Sequence, residues 1–560
     1  MKQLDYFSNY GSYLSFKRKE NDLIMHTKHG SAKMSHHSEV FHISIDADQK
    51  TDLAFPVSEI RSDSSRLGIT FAGRKIAVLR AEGSGLEVSL DLKPRSKYDY
   101  VFEIYEKGIS AFVVNSYSTL TKYLVYSADA QIGMEQNYEG DLYRYPDQLI
   151  SKLKIRSEKD VFTLFIQEIE HNMEAIHLPE RKFEEYAAET ENRFHDFCKD
   201  FRIPKAEWKD DVEYAAYILF SSTIGKAGIQ KRDLVVAANE MMNCVWAFDS
   251  GFPAYALAKT HSELALNQIL AFYDFQDEEG CIPGSMEDSN LRWSFLKPPG
   301  QGMFLKRILS ASEIKKEDLE YAYQGLKKQV AFWRNRKDMN QDGICEYHHG
   351  NESCLDNATI FDEGFPVDSP DLTAYLVEDL DCLSLIAEKL DRKEESRKWE
   401  KEADFLSQKA LDFFVEDGLP YARKTPTGEK IVSDSIMPFT LLQLRKRIPE
   451  KLRKNWIKIL EKEFLCEYGL ASEKINSSKF EENGYFRGSV FHYYTVPLVD
   501  ALADVSENDL AEKIAERYCR AFVRSGSSEC FNPINGEGQH VPGFTSAAGT
   551  FLYFCEKYLK

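Results

Sequence analysis

The sequence predicts an antiparallel β domain followed by a larger helical domain, and three observations carry that prediction. Hydrophobicity alternates with period two from about residue 40 to 170, it repeats at helical spacing from Trp208 onward, and long polar loops separate the helical stretches. At 560 residues the chain also exceeds what one compact core accommodates.

The β domain is read from Leu86, Val88, Leu90 and Leu92, which alternate with Glu87, Ser89 and Asp91, and from Tyr98, Tyr100, Phe102 and Ile104. Alternation of this kind buries one face of a strand and wets the other. The turn signals GSG, KPRSK and EKG keep the strands short, which favours a β-sandwich over a βαβ unit. Residues 1–178 are assigned to this sandwich.

Past Pro179, Phe183, Tyr186, Phe194, Phe197 and Phe201 fall at helical spacing within a charged segment that stops before Pro204, so 179–207 reads as a linker helix. Residues 208–560 form the helical domain. Leu372, Tyr375, Leu376, Leu380, Leu383, Ile386 and Leu390 make one apolar stripe, with Ser369 as N-cap and Pro370 at the first helical position. Trp399, Phe405, Leu406, Ala410 and Phe413 mark another. The stretches 276–303, 335–370, 467–488 and 525–545 are too long for plain connections and hold Trp, paired Pro and acidic clusters. Helices presenting functional loops are the implied design.

Composition narrows the function. A net charge of −19 without a basic stripe excludes nucleic acid as a partner, because phosphate binding needs clustered Lys and Arg. Ten cysteines stand singly, with no CxxC pair, as expected of reduced thiols. No apolar run is long enough to span a bilayer, and the first residues show no export signal, so a cytoplasmic protein with no membrane partner is expected. Nucleotide loops and HExxH are absent, which points away from ATP, NAD and zinc. Aromatic residues reach 13%, a richness that suits stacking on sugar rings although most aromatics fill cores.

Within 335–376, SCLD ends at Asp356 and resembles the Ser-Gly-Trp/Met-Asp segment that carries the general acid in glycoside hydrolase family 63 and, more remotely, in the family 37 trehalases. The resemblance implies Asp356 as general acid, kept protonated by burial and by neighbouring carboxylates such as Glu352 and Asp362. Taken alone, an Asp before Asn357 reads as a helix cap or Asx turn. SSECFNPINGEGQHVPGF, residues 527–544, resembles the family's Glu-x-Tyr-Asn-Pro segment, which implies Glu529 as general base, with Glu537 of GEG as its rival.

Three further segments resemble the same family in the same order. VWAFDSGFPAYAL (245–257) implies that Asp249 bonds sugar hydroxyls between walls formed by Trp246 and Phe248. GCIPGSMEDSNLRWSFLKPPGQG (280–302) implies Trp293, Lys297 and Gln301 as lining residues. GYFRGSVF (484–491) offers Tyr485 and the multidentate donor Arg487. Each segment has an ordinary alternative, respectively a buried helix cap, an aromatic core loop and a structural salt bridge, but five matches in order outweigh coincidence. His348 and His349, without a metal-ligand pattern, read as substrate-contacting or loop-packing side chains.

Asp338, Asn340, Asp342, Gly343 and the Ile344 carbonyl reproduce the start of an EF-hand loop, yet His349 stands where its closing carboxylate belongs. The segment is either a structural Ca²⁺ loop completed by Glu378, as the family resemblance suggests, or an Asx turn. The chemistry itself requires no cofactor.

The resemblance covers about residues 209–560 and implies an (α/α)6 toroid of the six-hairpin glycosidase type behind the β-sandwich. It further implies an inverting hydrolase of a small carbohydrate, first an α-glucosidase acting on a short oligosaccharide. The alternatives are a mannosylglycerate or glucosylglycerate hydrolase, an inverting phosphorylase, or a carbohydrate-binding protein without catalysis. Cys354 and Leu355 depart from the usual Gly and Trp/Met before the acid, and Phe248 replaces a Trp, so the sugar pocket differs in shape from the family's. No oligomeric state follows from the sequence.

Overall fold

A computed structural model of the chain describes residues 2–30, 38–45, 48–92, 98–117, 119–138, 149–169, 176 and 181–559. The KPRSK turn and the expected boundary at 178 lie outside the described residues. The chain forms two compact units: Met1–Asp200 with Ala216–Cys244 and Glu287–Asn290, and Phe201–Ala215 with Val245–Met286 and Leu291–Lys560.

In the first unit, period-two patterning becomes two antiparallel sheets. One runs in the order Tyr6–Ser8, Leu14–Lys19, Asp22–Thr27, Glu39–Ser44, Glu87–Leu92, Leu149–Arg156, Gln131–Tyr138. The other runs Tyr100–Glu106, Ile109–Ser116, Thr121–Tyr126, Val161–Ile169, Ile76–Glu82, Arg66–Ala72, Ser58–Arg61, Lys50–Asp52. Their inner faces meet through Phe41 against Tyr123 at 6.2 Å and Phe7 against Phe71 at 5.3 Å. The sandwich follows, because each strand has an apolar face that only another layer can cover. The helix Phe183–Cys198 covers part of the second sheet's outer face, with Phe183 and Tyr186 packed among Val113, Leu124 and Phe165.

The second unit is an (α/α)6 toroid. Six helices form a closed inner ring, each against the next: Gly251–Thr260, Gln301–Ala311, Pro370–Lys389, Met437–Arg447, His492–Asp504 and Thr545–Lys557, the last returning to the first. Six others alternate with them along the chain: Lys209–Ser221, whose residues from Ala216 on are assigned to the first unit, Ser262–Tyr273, Lys316–Arg336, Lys393–Phe414, Glu450–Ile459 and Asn508–Ser525. The sequence separates the two classes. Gly251–Thr260 buries every residue from Gly251 to Ala258, as an inner helix must. Lys393–Phe414 is charged on one side and buries a stripe including Trp399, Leu406 and Phe414. Phe405, expected in that stripe, is 70% exposed, because Leu406 and Ala410 already hold the inward positions. At Gly549 a side chain would come within 2.6 Å of the Phe252 carbonyl, so only glycine lets these two inner helices approach so closely.

Pro370 opens its helix as predicted, whereas Ser369 makes no side-chain cap bond and gives its hydroxyl to the Asp371 carboxylate. Glu378, expected as the distant Ca²⁺ ligand, has another role: both its oxygens are taken, one by Lys306 at 2.7 Å and the other by Arg445. These residues come from three successive inner-ring segments, so the buried ion pair ties the ring together. All ten cysteines are unbridged, and no described helix is long and apolar enough to cross a membrane.

Removing one partner of a buried ion pair strands the other charges, so Glu378→Ala is expected to destabilise the helical unit by about 3–5 kcal/mol in urea denaturation.

Candidate active site

Asp249 immediately precedes the inner helix Gly251–Thr260, Asp356 follows the 3₁₀ turn Gly350–Ser353, and Glu529 lies on the short strand Ser528–Phe531. Cys354 is left-handed at φ 60°, which turns the chain sharply ahead of Asp356. The three carboxylates converge: Asp249 and Asp356 both act electrostatically on Glu529, and Asp356 acts on Asp249.

Their surroundings differ. Glu529 is buried, and the Tyr485 hydroxyl donates to its Oε1 at 2.5 Å. Burial lifts the Glu529 carboxyl to about 7, the charges of Asp249 and Asp356 add to the rise, and the bonds from Tyr485 and the Val541 backbone oppose it. Asp249 is also buried and raised by burial, with the Tyr493 hydroxyl donating to Oδ1 at 2.6 Å. Asp356 faces solvent, contrary to the expected burial.

Two loops fix the backbone around Asp356. Asn357 accepts from the Phe486 N–H at 2.9 Å and donates to the Gly484 carbonyl at 3.0 Å, while Arg487 Nε donates to the Asn357 carbonyl at 3.0 Å. One cation balances the acids. Lys297 Nζ donates to the Asn351 carbonyl and side chain at 2.8 and 2.5 Å and lies 5.1 Å from the centre of the Trp246 ring. Burial disfavours its charge, but Cys354, Asp356 and Asp249 hold the ammonium above its ordinary value. Trp246 stacks on Phe295, and its buried Nε1 has no partner, which leaves a donor for a bound hydroxyl. Two buried carboxyls and one exposed carboxyl, with hydroxyl-binding groups between aromatic rings, form a site suited to proton transfer on a polyhydroxylated ligand.

A family model described as the mannosylglycerate hydrolase MGH1-like glycoside hydrolase domain matches residues 242–547. The chain belongs to that family and is a glycoside hydrolase. No curated protein matches the sequence. The GH63 mannosylglycerate hydrolase of Thermus thermophilus in complex with glucose is 17% identical at a TM-score of 0.54, covering 61% of this chain and 98% of that one. The same enzyme with Tris and D-glycerate is 18% identical at 0.54, with the same coverage. A bacterial glucoamylase complexed with acarbose is 12% identical at a TM-score of 0.60, covering 100% of this chain and 95% of that one.

Several of the hydrolase's expected site residues serve its framework instead. Gln301 is fully buried; its amide donates to the Ala247 carbonyl and accepts from Gly300 and Gln329, so it braces the turn carrying Asp249 and does not face sugar. Phe248 is fully buried among Phe252, Phe304, Tyr375 and Tyr493. Glu352 is clasped by the buried Lys337 at 2.9 and 3.0 Å and by the His348 N–H, so both its oxygens are engaged by the framework of its own loop. Arg487 pairs with Asp362 at 2.6 Å, so it braces the Asp356 loop. Glu537 is exposed in a turn, accepting from Asn535.

His348 is exposed and contacts Glu346 at 3.2 Å, while His349 is exposed and stacks on Phe365. Trp293 is 43% exposed. The 338–344 loop is closed by its own bonds: Asp338 accepts from Gly343, Asp342 accepts from Ile344 and Asn340, and the Lys409 ammonium donates to the Asp342 carbonyl. Asp338 Oδ1 and the buried Asp368 Oδ2 have no partner, yet no three His, Cys, Asp or Glu groups gather as a metal site among the described residues. With Glu378 engaged elsewhere, the ligand set expected for Ca²⁺ is not assembled.

Sequence reasoning missed Tyr493, Asn351 and Asn357. Tyr493 lies just beyond the GYFRGSVF segment, and extending the motif into the following HYY would have reached it.

Since the Glu529 carboxyl sits near 7, kcat/KM is expected to fall as pH drops below about 7, where this carboxyl becomes protonated. Tyr485→Phe removes a bond that holds this carboxyl down, so the acid limb should move to higher pH by about one unit in a pH–rate profile.

Proposed function

We propose that this hydrolase cleaves an α-linked glucoside of a short oligosaccharide by single displacement with inversion. The observation that carries the proposal is the convergence of Asp356 and Glu529 in contrasting surroundings. Asp356 protonates the glycosidic oxygen; with Glu352 engaged, its desolvation has to come from the bound sugar itself. Glu529, oriented by Tyr485, takes a proton from water on the opposite face of the ring. Asp249, held by Tyr493, and the Trp246 N–H bond sugar hydroxyls, and Lys297 restrains the repulsion among the acids.

A glucoside is favoured over a glycerate glycoside because the Arg487 guanidinium, the donor best suited to a glycerate carboxylate, is committed to Asp362 and Asn357. The full-length likeness to a glucoamylase bound to acarbose agrees with this choice. The second reading is a mannosylglycerate hydrolase, favoured by the family match and by Lys297, a cation able to meet a carboxylate at the site. A panel of α-linked disaccharides and glycosyl-glycerates separates the two: kcat/KM should be higher for the disaccharides, and a preference for glycerate glycosides would reverse the assignment. Turnover that requires inorganic phosphate would instead identify a phosphorylase.

The roles are separable through the leaving group. Asp356→Asn should lower kcat by about 10²- to 10⁴-fold on an alkyl glycoside but far less on a nitrophenyl glycoside, whose phenolate departs without protonation. Glu529→Gln should be impaired on both. The opposite pattern would exchange the two roles, and undiminished turnover in both variants would discard them.

A further inference from the structure

The site segment 280–302 contains a hairpin. Ser285–Met286 pairs on one side with Val245–Trp246 and on the other with Leu291–Arg292, and the chain then runs through Phe295 to Lys297. Its strands belong to the helical unit, but its tip, Glu287–Asn290, belongs to the β unit. The tip turns through a bond from the Glu287 N–H to the Asn290 carbonyl.

Asp288 at that tip enters a cradle built by the β unit. Its Oδ2 lies 2.8 Å from His29 Nδ1, its Oδ1 accepts from the Gly30 N–H at 2.8 Å, and its carbonyl accepts from the Ile229 N–H at 2.8 Å. At Gly228 any side chain would come within 2.1 Å of the Asp288 carbonyl, so the cradle accepts the tip only because this residue is glycine. The His29 ring is held on its far side as well: Nε2 lies 3.2 Å from Glu168 Oε1, and the ring stacks on Tyr13 at 3.9 Å with planes 7° apart. The His29 carbonyl accepts from Asn243 at 3.2 Å.

An imidazole flanked at both nitrogens by carboxylates satisfies both only as the cation, since a neutral ring has a single N–H. The charged groups facing this arrangement are Asp288 and Glu168, with Glu287 beside Gly30, while Lys28 and the Tyr123 phenol interact with Glu168. Burial opposes the His29 charge, but Glu168 and Asp288 hold it at about 10, and Asp288 in turn is held below the usual carboxylate range by His29. The ring therefore stays charged throughout the neutral range. Such a site, with most of its bonds used and little solvent access, is built to hold a loop and not to turn over a substrate.

We infer that His29 is a positioning residue for glycoside binding: its imidazolium, clasped between Glu168 and Asp288, latches the hairpin tip and thereby fixes the strand of Trp246 and the segment leading to Lys297. The consequence for catalysis rests on the glycosidase reading of the site; the latch does not. Released from its tip, the hairpin loses a fixed end, and the aromatic wall and cation that meet the sugar gain freedom that binding must remove. Ground-state affinity should suffer more than the chemical step, because Asp356 and Glu529 sit on other loops.

The test uses the full chain with His29→Gln and, separately, Asp288→Asn, which keeps an acceptor for Gly30 while removing the anion. Amide hydrogen exchange over 284–297 is expected to rise about tenfold or more in both variants, with thermal stability of the rest of the chain preserved. On a glycoside that the wild type cleaves, KM should rise about tenfold with kcat within about twofold of wild type. Unchanged exchange over 284–297 in both variants would overturn the latch. So would exchange that rises across the whole β unit with a collapse in Tm, which would make His29 merely structural. If the wild type cleaves no glycoside, the functional reading fails, while the exchange data still judge the latch.

Discussion

Asp249, Asp356 and Glu529 repel one another, and much of the site is arranged to keep two buried carboxyls and one exposed carboxyl together. Two tyrosine hydroxyls donate to the two buried acids, and one ammonium, itself held by Asn351, supplies the opposing charge. Without these donors the buried carboxyls would remain protonated, and the distinction between a proton donor and a proton acceptor would be lost. The repulsion is also what makes the site responsive: a bound sugar that displaces water from Asp356 alters the field at its neighbours.

The toroid permits this concentration of charge because an inner helix such as Gly251–Thr260 is packed on every side, and the charges that other inner helices bury, Lys306, Glu378 and Arg445, are paired with one another. Inner helices such as Gly251–Thr260 have no spare polar face, so the chemistry is displaced to the segments where they begin and to the loops between them. Those loops are stitched together: the residue after Asp356 is bonded to the loop of Tyr485, and Tyr485 is bonded to Glu529. The hairpin behind Lys297 is fastened at its tip by the His29 cradle. Asp356, Glu529 and Lys297 are therefore each held by a different element, which allows geometry to be tuned without repacking the ring.

Much of the architecture was legible because it follows from periodicity. Val88 and Leu90 alternate with polar residues and are buried in a sheet; Leu372 through Leu390 repeat at helical spacing and face inward. The segments of Asp249, Asp356 and Glu529 were legible as local motifs, and the fold brings these three residues together. What escaped was the direction of side chains and the identity of distant partners. Gln301 sits in a motif with Lys297, yet the amide turns into the ring to bond Ala247 while the ammonium turns toward the acids. Glu352 was read as a free charge because nothing in NRKDMN marks Lys337 as a buried cation. Glu378 looked available for a metal until Arg445 and Lys306, from other inner-ring segments, filled both oxygens. Tyr493 lies 244 residues from the Asp249 it bonds, a pairing only the closed ring brings about.

Stereochemistry tests the proposed joint action of Asp356 and Glu529 most directly. With the glycoside turned over best as substrate, ¹H NMR recorded before mutarotation is expected to show the β-anomer of the released sugar appearing first from an α-linked bond. Initial appearance of the α-anomer would mean that a covalent or otherwise retaining route operates, and the acid–base pair described above would not be the catalytic apparatus.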